Sequence, residues 1–153
     1  MAQLRQKSRD GVVGHWTEGW DGYPASRQRI LNAMAATKVA NPVVLGGDLH
    51  SFRTTDMKAD FNNPSSPTIA TEFVGTSVTS DGPPQDLFAG MLSENAHVHF
   101  FDSRQRGYVG VEMTRDRMDT RFQVISDRRQ QDATVSTLKR YVVETGKAGA
   151  VPA

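Results

Sequence analysis

The sequence predicts a mixed α/β (α+β) fold, and three observations support this prediction. Apolar residues recur at helical spacing over residues 25–37, a short apolar segment without alternation follows over 42–47, and the remainder reads mostly as strands separated by turns. A helix, then a buried strand, then a series of strands is typical of mixed layers of helix and sheet.

The predicted helix has clear boundaries. Pro24 suits the first helical turn, and Ile30, Leu31 and Met34 fall on one face. Asn41 and Pro42 then break the chain. We therefore expect one amphipathic helix before the first strand.

The apolar segment 42–47 is rich in β-branched residues and ends in Gly46 and Gly47. This pattern favours a strand covered on both faces, as in a parallel sheet. Asp48 and His50 follow it directly, at the strand end where open α/β sheets bind their ligands.

The rest of the chain is predicted from alternation and turn residues. We expect strands over 54–61, 68–74, 97–101, 108–114, 118–125 and near 138–144, with a short helix over 85–92. The predicted organisation is a polar loop region over 1–22, an α/β core over 23–144 and a flexible tail over 145–153.

Composition excludes several classes of protein. The chain has 153 residues with 18 basic and 17 acidic side chains, so its net charge of +1 gives no electrostatic case for a nucleic-acid or anionic-membrane partner. Cysteine is absent, which excludes disulfides, thiolate metal sites and cysteine catalysis. No apolar run approaches the 18 residues of a membrane span.

Three groups of residues are candidates for chemistry. Asp48 and His50 offer an oxygen and a nitrogen ligand to a metal ion, although a capping Asp and a structural His remain an alternative. His97 and His99 have the same spacing and, in a strand, would share one face, which suggests either a zinc site or a solvated surface. The aromatic and acidic residues before the helix form either a pocket rim or a helix-entry turn; they are Trp20, Asp21 and Tyr23.

Several segments in the same order resemble the alkaline phosphatase D (PhoD-like) metallophosphatases. They are Trp20-Asp21-Gly22-Tyr23-Pro24-Ala25, Arg27-Gln28-Arg29-Ile30-Leu31, the segment 41–51 containing Gly46-Gly47-Asp48-Leu49-His50, Thr71-Glu72-Phe73-Val74-Gly75-Thr76-Ser77, and the segments 100–102 and 106–109. Together they cover most of the chain.

The resemblance implies a calcineurin-like four-layer α/β/β/α sandwich and a metal-dependent phosphoesterase that hydrolyses small phosphate esters, both monoesters and diesters. It implies a calcium and iron centre, with another divalent metal as an alternative, and export to the periplasm or the extracellular space. Asp48 and His50 match the Gly-Asp-x-His motif and carry over as metal ligands. Trp20, Asp21 and Tyr23 are substrate-pocket candidates, and no catalytic residue is assigned.

The family's earlier motifs, Gly-Asp-x-x-Tyr and Trp-Asp-Asp-His-Glu, do not occur in this sequence. We therefore expect the chain to match only the C-terminal part of a family protein, with an incomplete metal site and little activity alone. The alternative is a non-catalytic truncated module that self-associates, or binds a partner, through an exposed apolar sheet face. The residues expected on that face are Val43, Val44, Leu45 and Ile69.

Overall fold

A computed structural model describes residues 1–7 and 10–153 of the chain. The strands are β1 (Arg5–Lys7), β2 (Val13–His15), β3 (Val43–Gly46), β4 (Phe52–Lys58), β5 (Thr68–Val74), β6 (Val98–Asp102), β7 (Gly107–Met113), β8 (Arg117–Ile125), β9 (Val135–Glu144) and β10 (Val151–Pro152). The helices are α1 (Pro24–Thr37) and α2 (Gln85–Ala89), with 3₁₀ turns at Trp20–Gly22 and Leu92–Glu94. The predicted helix and the order of the strands are confirmed.

The strands form two four-stranded sheets. The first has the order β3-β5-β4-β6, with β3 parallel to β5 and the other neighbours antiparallel. The second is antiparallel throughout, in the order β10-β9-β8-β7. A small hairpin of β1 and β2 lies outside both sheets.

The two sheets pack face to face around aromatic side chains. Phe52 and Phe73 of the first sheet contact Phe122 of the second, with ring centroids 5.0 Å and 6.2 Å away. Tyr141 and Met118 extend the same buried cluster. Alternate residues of the strands point into this layer, as expected when one face of each sheet is buried.

Both helices cover the opposite face of the first sheet. Leu31 of α1 is fully buried against Met57 and Ala70, and Phe88 of α2 stacks on Phe101 at 4.7 Å. The described residues thus form a helix–sheet–sheet arrangement. On the outward side of the second sheet, Tyr108 is exposed, whereas its neighbour Val109 packs into the core between the sheets. Three of the four expected layers are therefore present in the described part of the chain.

The prediction that the strand at 42–47 is covered on both faces is wrong. β3 is an edge strand, and Leu45 is 60% exposed. The expected bare sheet face is also absent from the described residues. Val43 packs against the core between the sheets, and Ile69 packs against the cluster beneath α1. The reason is that the second sheet covers one face of the first sheet and α1 covers the other.

The two terminal segments are more structured than predicted. The region 1–22, predicted as a polar loop, contains the hairpin of β1 and β2, and Ala2 is buried. Ser8 and Arg9, which fall in that region, lie outside the described residues. The predicted tail, 145–153, ends in β10, where Val151 pairs with Val142. Strand pairing supplies hydrogen bonds to the backbone N–H and C=O groups of these segments. The polar composition of the segments does not indicate this pairing.

No helix formed by the described residues has the length and apolar character needed to cross a membrane.

Candidate metal and substrate site

The turn after β3 holds Asp48 in an unusual backbone conformation. Its φ angle is 71°, and the Leu49 N–H donates to the Gly47 carbonyl at 2.9 Å, which closes a three-residue turn around Asp48. His50 also has a positive φ, 50°. Left-handed backbone at non-glycine residues is uncommon and is concentrated at functional sites. The local strain therefore makes this turn a candidate site.

The His50 imidazole is held by a backbone acceptor. Because the Asp81 carbonyl can only accept, His50 Nδ1–H donates to it at 2.8 Å, and the Nε2 lone pair is left for a ligand. Metal-binding histidines commonly donate their second ring N–H in this manner. Gly82 supports the arrangement, because a Cβ atom there would lie 2.3 Å from the His50 carbonyl oxygen.

A cavity of about 650 Å³ opens beside this turn. Its lining includes Asp48 together with the three pocket candidates, Trp20, Asp21 and Tyr23. His50 is not among the described residues that line it. Asp48, Trp20 and Tyr23 thus line one cavity. The His50 ring is instead hydrogen-bonded to the Asp81 carbonyl.

Asp21 has a structural role in this cavity. One carboxylate oxygen accepts from the Leu4 N–H at 2.9 Å, and the other forms a buried ion pair with Arg27 of α1. These contacts join the N-terminal segment to the helix. Trp20 and Tyr23 are 41% and 63% exposed, so their rings are available at the rim.

The two other candidate histidines are held by different partners. His97 Nε2–H donates to the Gln3 carbonyl at 2.7 Å and its ring contacts Phe61, whereas His99 pairs with Asp56 at 3.0 Å. Burial lowers the pKa of His97, and the hydrogen bond that His99 donates to the Asp56 carboxylate raises the pKa of His99. They do not form a shared site, and residues 1–7 and 10–153 contain no group of three or more His, Asp or Glu side chains with metal-binding geometry.

Sequence reasoning missed a buried ion pair on the cavity wall. Arg53 Nη2 donates to Glu72 at 2.9 Å, and the Ala2 N–H donates to the same carboxylate at 3.2 Å. The Arg53 and Glu72 side chains are 3% and 0% exposed, and burial lowers the pKa of Arg53 to about 10. Part of the signal was available, since Glu72 lies inside the predicted strand 68–74, where a buried carboxylate requires a partner.

Comparison with known proteins shows the family of the chain. The family profile described as PhoD-like phosphatase matches residues 1–122. The chain belongs to the PhoD-like phosphatase family. This PhoD-like chain is 36% identical over 135 residues to alkaline phosphatase D of Bacillus subtilis (strain 168), an alignment that spans 86% of the chain and 23% of that protein.

A solved structure of PhoD superposes on 99% of this PhoD-like chain with a TM-score of 0.86 and 31% sequence identity. The match covers 29% of the solved chain. The mixed α+β fold predicted from the residue pattern is therefore confirmed. The chain spans about a quarter of the length of the relatives that it matches, in keeping with the expectation of a partial match.

The donor chemistry of the turn fits a metal ion in part. The Asp48 carboxylate and the free His50 Nε2 are suitable ligands for iron, manganese or zinc, and the carboxylate also suits calcium. Catalytic metal centres generally have three or more protein ligands. Asp48 and His50 therefore have suitable donor chemistry for a metal ion, and of the two, Asp48 lines the cavity.

Proposed function

We propose that this chain is part of a metal-dependent phosphoesterase, in which Asp48 and His50 supply two of the metal ligands. The observation that carries the proposal is the strained turn after β3, with His50 Nδ1–H bonded to a backbone carbonyl and Nε2 left free. Membership of the PhoD-like phosphatase family supports the phosphoesterase class.

The chain's own residues have separate roles in this proposal. The Gly47–Asp48–Leu49 turn aims the carboxylate, and the Asp81 carbonyl sets the tautomer of His50. Trp20 and Tyr23 form the cavity rim that receives the organic part of a small phosphate ester. A bound metal ion supplies Lewis acidity toward the phosphate. Calcium and iron, action on diesters as well as monoesters, and export of the full-length protein are parts of the same proposal.

Metal binding tests the ligand assignment. We expect Asp48→Ala and His50→Ala each to weaken binding of Ca²⁺ or Mn²⁺ by about tenfold or more in calorimetric titration of the chain, because each removes a direct ligand. His97→Ala is the matched control and leaves binding unchanged. Loss of binding in the His97→Ala variant instead, with Asp48→Ala unaffected, would contradict the assignment and favour the alternative zinc site.

The same preparations test the expected incompleteness of the site. We expect the chain to hydrolyse p-nitrophenyl phosphate very slowly or not at all, because two ligands leave the metal ion weakly held. Steady turnover that a chelator abolishes would show that the chain alone is a sufficient catalyst.

A further inference from the structure

The Asp81 carbonyl that accepts from His50 lies in a segment without regular secondary structure. This 75–84 segment connects β5 to α2, and Asp81 itself is exposed. An exposed loop moves more than the strands beside it unless other groups fix its backbone. The position of the Asp81 carbonyl, and with it the hydrogen bond to His50 Nδ1, therefore depends on what holds the 75–84 segment.

A buried arginine from outside the segment holds the residue before Asp81. Arg106 is 7% exposed, and its guanidinium donates from Nη1 to the Ser80 carbonyl at 2.6 Å and from Nη2 to the Ser103 carbonyl. Charge-assisted hydrogen bonds of this kind are stronger than those between neutral groups. The backbone of Arg106 is fixed as well, because its carbonyl accepts from the Ile125 N–H at 3.0 Å at the end of β8. Arg106 thus ties the loop to the second sheet.

The same guanidinium packs against the residue after Asp81. A Cβ atom at Gly82 would lie 2.9 Å from Arg106 Nη2 and 2.3 Å from the His50 carbonyl oxygen. Gly82 therefore lies between the arginine and the histidine, with no room for a side chain. Arg106 is thus in contact with Ser80 and Gly82, the two residues that flank Asp81.

A second arginine, Arg128, holds the outer side of the 75–84 segment. It donates to the Thr79 carbonyl and pairs with the Asp81 carboxylate at 2.8 Å. The Asp81 side chain is 86% exposed, and an ion pair so open to water contributes little to stability. Arg106, which is buried, is therefore the residue that we expect to fix the backbone at Asp81.

We propose that Arg106 is a positioning residue for His50. By holding the backbone on both sides of Asp81, it keeps the Asp81 carbonyl within reach of Nδ1–H and so fixes the tautomer in which Nε2 is free to bind a metal ion. Arg106 acts through the loop backbone and contacts no ligand itself. That His50 binds a metal ion rests on the proposed function, whereas the control of its tautomer does not.

The tautomer can be measured directly by nitrogen NMR of the imidazole in the metal-free chain. At about pH 8, where an ordinary imidazole is neutral, we expect wild-type His50 to carry its proton on Nδ1, and loss of this signal in His50→Gln assigns it. Arg106→Lys keeps the positive charge but loses the planar fork that reaches two carbonyls, so we expect a mixture of both tautomers at His50.

Metal affinity is the second property to compare between these proteins. We expect Arg106→Lys to bind Mn²⁺ about tenfold more weakly in calorimetric titration, as is common when a group that orients a metal ligand is lost. Arg5→Lys is the matched control, because Arg5 also donates to a backbone carbonyl, that of Phe61 at 3.1 Å, in another part of the fold. It should leave both the tautomer of His50 and the Mn²⁺ affinity unchanged.

A measurement on the Arg106 side chain itself decides if Arg106→Lys does not fold. Coupling between two groups acts in both directions. His50→Gln, a change at a half-buried residue, should therefore loosen the loop and speed hydrogen exchange of the Arg106 Nη protons about threefold or more in the metal-free chain. The Arg5 Nη protons are the reference and should exchange at the same rate in both proteins.

Three outcomes would overturn the proposal: wild-type His50 protonated on Nε2, the wild-type tautomer retained in folded Arg106→Lys, or unchanged exchange of the Arg106 protons in His50→Gln. A change of tautomer in Arg106→Lys without any change in Mn²⁺ binding would support the positioning role and contradict the assignment of His50 as a metal ligand. Failure of the proposed function and failure of the Arg106 assignment are thus distinguished.

Discussion

At the scale of single residues, the candidate site depends on the backbone of Asp81 and Gly82, which packs against His50, as well as on the side chains of Asp48 and His50. Asp48 and His50 could be named from the sequence because two glycines and a strand end precede them. The environment of His50 could not be predicted from the sequence, since it depends on Asp81 and Gly82, which are more than thirty positions away in the chain. Arg53 was missed because the predicted strand began at 54, whereas β4 begins at Phe52.

Gly82→Ala tests whether the support beneath His50 matters. The added Cβ would lie 2.3 Å from the His50 carbonyl oxygen and 2.9 Å from the Ser103 carbonyl oxygen, and backbone atoms cannot move aside easily. We expect a loss of about 1–3 kcal/mol in the free energy of unfolding, measured in urea, together with weaker metal binding. Gly47→Ala is the control for stability, because a Cβ there meets no atom within 4 Å. Equal stabilities for the two variants would contradict the role of Gly82.

At the scale of elements, local patterns predicted the helix and most strands, but not the partners of each strand. The spacing of His97 and His99 suggested a shared strand face, yet His97 precedes β6 and binds the N-terminal segment, while His99 pairs with β4. A period of two describes neighbours on one strand. It carries no information on which segment covers each residue.

The two histidines should give opposite pH dependences of stability. The Asp56 hydrogen bond raises the pKa of His99, so its contribution is present below the unfolded value of about 6.5 and is lost as pH rises through the raised folded value. Burial lowers the pKa of His97, so folding loses stability as pH falls below about 6.5 toward the lowered folded value.

Urea unfolding at about pH 5.5 and about pH 8 measures both contributions. We expect His99→Gln to destabilise the chain more at the lower pH, by less than about 1 kcal/mol because the pair is partly exposed. In the His97→Gln variant, the free energy of unfolding should fall less between about pH 8 and about pH 5.5 than it does in the wild type. The same pH dependence in both variants would show that the assigned environments are wrong.

At the scale of the whole molecule, the free edge of β3 is an exposed apolar feature of the first sheet. No strand of residues 1–7 and 10–153 pairs with the outer edge of β3, and Leu45 on that strand is 60% exposed. An unpaired strand edge with an exposed leucine offers backbone groups to another strand. The self-association expected from the sequence is therefore best assigned to this edge.

We expect the purified chain to form dimers or larger species at high concentration, measured by size exclusion with light scattering. Leu45→Lys should shift it toward the monomer, because a charge on an edge strand opposes pairing. Leu87→Lys, at a leucine of α2 that is 61% exposed, is the matched control. A compact monomer at all concentrations would contradict self-association through β3.

The sequence by itself determined the order of elements, the position of the Asp48 turn and the family resemblance, because these depend on short-range spacing and on contiguous motifs. Only the tertiary structure decided that the second sheet covers the first, that β3 lies at an edge, and that Arg53 and Glu72 meet beside the cavity. These features arise from backbone pairing and side-chain packing between segments far apart in the chain, whose free energies have no local sequence signature.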